Sequence, residues 1–119
     1  MVKNFLLVGL GGAIGSVLRY SVQRFANTTA IPYGTLLVNL AGCFFIGLLW
    51  GWLNKNSLSQ PGSLLLMSGF CGGFTTFSAF TYESVQMIQN NRWLLLAVYI
   101  SASLFGGLVA TFSGYKLTN

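Results

Sequence analysis

An all-α integral membrane protein of four transmembrane helices is the fold class this sequence predicts, and three observations predict it. Hydrophobic residues make up 54% of the 119 and charged residues 6%, against about 25% charged in globular domains. Four long apolar runs, roughly 4–26, 33–53, 63–89 and 93–116, each reach the ~20 residues that cross a hydrocarbon core. The connections between them are too short for a soluble domain, so residues 1–119 read as a single four-span membrane domain.

The first run follows Met1-Val2-Lys3 and lacks a small-x-small cleavage site. It continues through Arg19 and Arg24, so the expectation is a retained span and not a cleaved signal. Within it, Gly9, Gly11, Gly12, Ala13, Gly15 and Ser16 recur at the spacing that lets membrane helices approach closely. Arg19 stands apart, because a guanidinium in or just beyond an apolar span needs a partner or an aqueous vestibule. Snorkelling to the headgroups and a positive lure at a pore mouth both satisfy that need.

The connection Asn27–Thr35 is a turn in which Pro32 ends one helix and leads the next. In the second run Asn39 lies well inside Leu36-Leu37-Val38-Asn39-Leu40-Ala41-Gly42. An amide in hydrocarbon must find hydrogen-bond partners, on another helix or on a permeating ion. Gly47 and Gly51 make a close-packing face, and Trp50 and Trp52 suit an interfacial anchor ahead of Asn54-Lys55-Asn56-Ser57.

The third run carries Gly69-Phe70-Cys71-Gly72-Gly73-Phe74-Thr75-Thr76-Phe77-Ser78-Ala79-Phe80-Thr81, a composition unsuited to an unbroken helix. Adjacent glycines cost helix stability, and adjacent β-branched threonines bond back to the preceding turn. The expectation is an unwound point near the middle of the span, with freed backbone groups that protein or a water-lined path must satisfy. Phe74, Phe77 and Phe80 form a one-sided row at i, i+3 spacing that begins there. Helix packing is the ordinary fate of such a row, and lining a path is the functional one.

Several function classes are excluded by what the chain lacks. With no histidine, no aspartate and one glutamate, it cannot assemble a zinc site or a two-carboxylate acid/base pair, so an enzyme is not expected. The net charge of +5 comes from scattered Lys3, Arg19, Arg24, Lys55, Arg92 and Lys116, without the basic stripe that nucleic acid requires. Cys43 and Cys71 lie in apolar runs and behave as small hydrophobes. Threaded alternately, Lys3, Lys55 and Lys116 face one side, with Arg24, Arg92 and Arg19 towards the other. The positive-inside rule then gives almost no preferred orientation. Two copies inserted in opposite senses would form an antiparallel dual-topology dimer, the between-chain version of an inverted repeat.

The run Gly72-Gly73-Phe74-Thr75-Thr76-Phe77-Ser78-Ala79-Phe80, with Gly34-Thr35-Leu36-Leu37-Val38-Asn39 and an arginine closing Gly15-Ser16-Val17-Leu18-Arg19, resembles the Fluc (CrcB) family of fluoride channels across all four spans. That resemblance implies an antiparallel homodimer, or a heterodimer with a similar chain, in a bacterial plasma (inner) membrane. It implies passive, fluoride-selective export from the cytoplasm. It further implies pore phenylalanines at Phe77 and Phe80, a pore asparagine at Asn39, a polar track at Tyr99 and Ser103, and a vestibule arginine at Arg19. A structural sodium ion on the dimer axis would take backbone carbonyls of Gly72 and Thr75. Ala79 and Gly107 stand where similar members often carry hydroxyls, so Ser78 and Thr81 or water would have to extend the track.

These residue types suit a small anion on physical grounds. Phenylalanine edges are positive, amide and hydroxyl groups donate hydrogen bonds, and a narrow path without a fixed cation does not trap the ion. Two other readings remain open at this point. A dual-topology drug/proton antiporter needs an embedded carboxylate, for which Glu83 is the one candidate, and a structural subunit would use the glycine faces only to hold a partner.

Overall fold

The computed structural model describes all residues 1–119. Four helices are long and apolar enough to cross a membrane: Val2–Ala26, Tyr33–Asn54, the interrupted span Gln60–Gln89 and Trp93–Thr118. They are called here the first to fourth helices.

Their ends follow from local chemistry. The first helix stops at Asn27, whose backbone is extended. Beyond it, Thr28 donates from both its N–H and its hydroxyl to the carbonyl of Ile31, each at 3.0 Å, and accepts from Ile31 N–H at 2.9 Å. Pro32 then leads the second helix. The second and third helices each close on an asparagine in the left-handed region, Asn56 at φ 59° and Asn91 at φ 57°. The next N–H reaches back five residues in both cases, Ser57 to Trp52 at 2.8 Å and Arg92 to Met87 at 2.9 Å. That is a Schellman closure with asparagine in the place glycine usually takes.

The third helix is interrupted, as its composition suggests, and of the two residue pairs expected to unwind it only the threonines do. Its first turn is capped by Ser59, whose hydroxyl accepts from Gly62 N–H at 3.1 Å. Leu64–Cys71 winds as a π-helix, a form common at functional sites that nothing in the apolar run signals. Gly72–Phe74 is α-helical. The chain becomes extended only at Thr75 (φ −88°, ψ 158°) and Thr76 (φ −151°, ψ 114°). Of the glycines and threonines expected to unwind the span together, the glycines keep the helix and the threonines leave it. The physical reason is packing: a Cβ on Gly73 would stand 3.0 Å from Gly12 Cα and 3.0 Å from Ser16 Oγ, so Gly73 serves close approach to the first helix. The chain restarts as Phe77–Gln89, with Thr76 Oγ1 accepting Ala79 N–H at 3.2 Å as the N-cap.

The break also divides the expected phenylalanine row. Phe74 belongs to the first half and stacks on Phe70 at 5.5 Å, whereas Phe77 and Phe80 pair at 5.8 Å on the second half.

Two glycine-mediated seams hold the bundle. Gly47 and Gly114 face each other's helix so closely that a Cβ on Gly114 would lie 2.8 Å from Leu48 N and one on Gly47 would lie 3.0 Å from Tyr115 N. Thr111 and Thr118 hydroxyls reinforce that seam by donating to Cys43 O at 3.0 Å and Leu48 O at 2.8 Å. Along the other seam, a Cβ on Gly15 would come 2.9 Å from Phe74 N. Only 17 of 119 residues are buried, and the outer faces carry side chains such as Phe5, Ile14, Val17, Leu94, Phe105 and Phe112. Water does not tolerate so much contiguous apolar surface on a monomer; lipid or another apolar chain face does.

Candidate functional site

Beside the break, a cavity of about 530 Å³ opens between the second, third and fourth helices. Asn39, Gly72, Thr75, Phe77, Phe80 and Ser103 line it, so six of the residues singled out from the sequence meet in one place. Phe77 stands 76% exposed at its open side, which makes this cavity a half-site with one wall missing.

Asn39 has a definite structural task. Its Nδ2 donates to Thr76 O at 3.1 Å, and its Oδ1 accepts from Thr76 N–H at 2.7 Å. The amide thus substitutes for the helical bonds that the break removes from Thr76. One of its two N–H donors remains without a protein acceptor. Interhelical bridging and a spare donor coexist on a side chain that lines the cavity.

Ser103 presents the clearest chemical opening. Its Oγ is the one buried side-chain nitrogen or oxygen in the chain with no hydrogen-bond partner, and Ser103 lines the cavity beside phenylalanine rings, sulfur-bearing side chains and the polar residues of the break. A buried hydroxyl without a partner is costly, and an acceptor entering the cavity removes that cost.

Carbonyls at the break divide into two sets. Gly73 O accepts from Arg19 Nε at 2.9 Å and Thr76 O accepts from Asn39. No backbone N–H or side chain donates to Gly72 O or Thr75 O. Gly72 is itself on the exposed face, with nothing within 4 Å of where a Cβ would be. Two unpaired carbonyls are suitable ligands for a hard cation. Arg19 finds its partner in this break: its guanidinium meets a carbonyl end of the first half-helix, where helix-dipole and hydrogen-bond energies add.

Other expected track residues lie elsewhere. Tyr99 is buried, with its ring 5.2 Å from Phe80 and its hydroxyl donated to Glu83 Oε1 at 2.9 Å. Ser78 and Thr81 are exposed and spend their hydroxyls locally, Ser78 Oγ at 3.2 Å from Thr76 Oγ1 and Thr81 Oγ1 donating to Ser78 O at 2.9 Å. Neither borders the cavity.

Sequence reasoning missed the polar relay that begins at Arg19. Arg19 Nη1 donates to Gln23 Oε1 at 3.3 Å, Gln23 Nε2 donates to Thr35 Oγ1 at 3.0 Å, and Thr35 Oγ1 donates to Glu83 Oε2 at 2.7 Å. Asn27 Nδ2 reaches the same carboxylate oxygen at 3.3 Å, while Asn27 Oδ1 accepts from Thr35 N–H at 3.1 Å. A signal was present: Arg19, Gln23 and Asn27 follow at i, i+4, i+8 and share one helix face.

The whole of this region matches a known family. Residues 6–115 fit the family model described as CrcB-like protein, Camphor Resistance (CrcB). A protein of Flavobacterium psychrophilum is 45% identical over 118 residues, covering 95% of this chain and 94% of its own. One of Leptospira interrogans is 45% identical over 116 residues (94% and 91% covered), and one of Gloeothece citriformis is 46% identical over 117 (96% and 95%). Each of these relatives is named fluoride-specific ion channel FluC.

Proposed function

The chain belongs to the CrcB-like family, and on that premise we propose that it is a fluoride-selective ion channel, not an enzyme, which lets cytoplasmic fluoride leave by passive flow and so relieves its toxicity. The observation that carries this reading is the unpartnered Ser103 hydroxyl in the cavity walled by Phe77, Phe80 and Asn39. A cavity lined by phenylalanine rings, whose edges are positive, and by an unpartnered hydroxyl suits a small anion with high hydrogen-bonding power. Chloride is larger and a weaker acceptor, so it gains less from few fixed donors while losing its own hydration.

Open on one side, the cavity needs a second wall, and a second copy inserted in the opposite sense would supply it. Balanced basic residues at the two ends favour both orientations. The apolar outer faces provide the area for such a homodimer and for the surrounding lipid of a bacterial plasma membrane. Gly72, with its open face and unpaired carbonyl, would then lie where two chains meet, and the Gly72 and Thr75 carbonyls would hold a sodium ion. Such an ion supplies fixed positive charge beside the path and ties the half-helices of two chains together. Within this chain, Asn39 keeps the break open, Phe77 and Phe80 exclude water, Ser103 donates, and Arg19 anchors the Gly73 carbonyl.

An antiporter would need its carboxylate at the substrate cavity. Glu83, the one acidic residue, borders a different cavity. Purified chain in liposomes loaded with fluoride tests the proposal. Release should proceed without any proton gradient and at an unchanged rate when one is imposed. Release that requires a proton gradient, or no release, would overturn the channel reading.

A further inference from the structure

Glu83 is the single carboxylate side chain in the sequence, and no basic residue pairs with it directly. Three neutral donors converge on it instead: Thr35 Oγ1 at 2.7 Å, Tyr99 OH at 2.9 Å and Asn27 Nδ2 at 3.3 Å. The direction of these bonds is fixed from behind. Thr35 Oγ1 already accepts from Gln23 at 3.0 Å and from Asn27 at 3.4 Å, so its own proton has nowhere to go but the carboxylate. Gln23 is oriented in turn by Arg19, which donates to its Oε1. Every bond of the relay points its donor towards Glu83. Such an array is a receptor for a negative charge, and the charge now in it is tethered.

Its position gives that array a further meaning. Glu83 lines a second cavity of about 410 Å³ at the end of the bundle, bordered by the 27–32 connection, Gln86, Asn90 and Arg92. Tyr99 separates this pit from the phenylalanine cavity, with its ring against Phe80 and its hydroxyl on Glu83. The Thr35 and Tyr99 donors lie at that partition, and a carboxylate occupies them.

We propose that the Glu83 carboxylate occupies an anion-binding position as a tethered stand-in, and that a fluoride ion takes over the Thr35, Tyr99 and Asn27 donors as Glu83 swings into the pit lined by Asn27, Gln86 and Arg92. The pit has the room, and Arg92, Gln86 and Asn90 on its rim offer donors for the displaced carboxylate. No bond is made or broken; one anion replaces another on the same hydroxyls. This inference rests on the fluoride-channel reading but is tested separately from it.

The lone acidic side chain makes the test direct. Infrared difference spectra of the purified wild-type protein with and without fluoride should show one perturbed carboxylate stretch. The C-terminal carboxylate is identified by its persistence in Glu83→Gln. Equilibrium fluoride binding should tighten about tenfold in Glu83→Ala, since a tethered competitor acts at millimolar effective concentration. That gain should vanish in Glu83→Ala combined with Thr35→Val. A carboxylate stretch that does not respond to saturating fluoride would overturn the proposal, whether or not the variants fold. So would unaltered fluoride affinity in an intact Glu83→Ala protein. Fluoride efflux by the wild-type protein is recorded beside these measurements: efflux with a silent carboxylate removes the stand-in and leaves the channel, whereas no efflux removes the channel.

Discussion

Phe77, Phe80 and Ser103 border the same cavity, yet their substitutions should read out differently. Isoleucine at Phe77 or Phe80 keeps most of the apolar bulk and should cost less than about 1.5 kcal/mol of stability, but it removes the positive ring edge. If ring edges stabilise the ion by ~3 kcal/mol at the barrier, efflux should fall about a hundredfold. An intact protein passing fluoride at the parent rate would assign the rings to packing. Ser103→Ala breaks no hydrogen bond within the chain, so stability should stay within about 0.5 kcal/mol. A hydrogen bond to an ion is worth about 1.5–3 kcal/mol, so its efflux should drop at least tenfold. Asn39 is the opposite case. Asn39→Ala strips partners from both Thr76 N–H and Thr76 O, at about 1–3 kcal/mol for each buried group left unpaired, so thermal unfolding should shift before flux is considered. These residues were legible because Asn39, Phe77, Phe80 and Ser103 are conspicuous types in apolar runs. The partner of Asn39 was not, because Thr76 lies 37 positions away and nothing local marks that pairing.

At the scale of the helix, the sequence located the interruption among two glycines and two threonines, and the structure assigns it to the threonines. Gly72 and Gly73 were read for their conformational freedom, but the first helix approaches Gly73 so closely that it serves as a packing residue. Thr75 and Thr76 adopt extended dihedrals that suit β-branched side chains. The π-helical turns at Leu64–Cys71 had no sequence mark at all, because a run of Leu, Met and Phe has the same hydropathy in either winding. Glycine substitutions separate the roles these residues play. Gly114→Ala drives a Cβ into the backbone of the second helix and should destabilise the bundle by more than the 1–3 kcal/mol typical of overpacking. Gly9→Ala, with nothing within 4 Å, should be neutral or add up to about 1 kcal/mol through helix propensity. Chemical or thermal unfolding of the two variants in the same detergent checks the contrast, and equal effects would discredit the close-approach seam.

For the molecule as a whole, four spans and one short domain were plain from hydropathy, while the cavity's missing wall was not, since a half-site shows itself only once the helices are placed. Completion by an oppositely inserted copy implies that tags at Met1 and Asn119 are reached from both sides of the membrane in the population. Labelling from one side only in every molecule would exclude the antiparallel pair. The most direct measurement is simultaneous fluoride and chloride efflux from the same proteoliposomes containing only this chain. A cavity lined by Phe77, Phe80, Asn39 and the unpartnered Ser103 predicts that fluoride empties while chloride stays behind. Chloride leaving at a rate comparable to fluoride would mean that these residues do not select the ion.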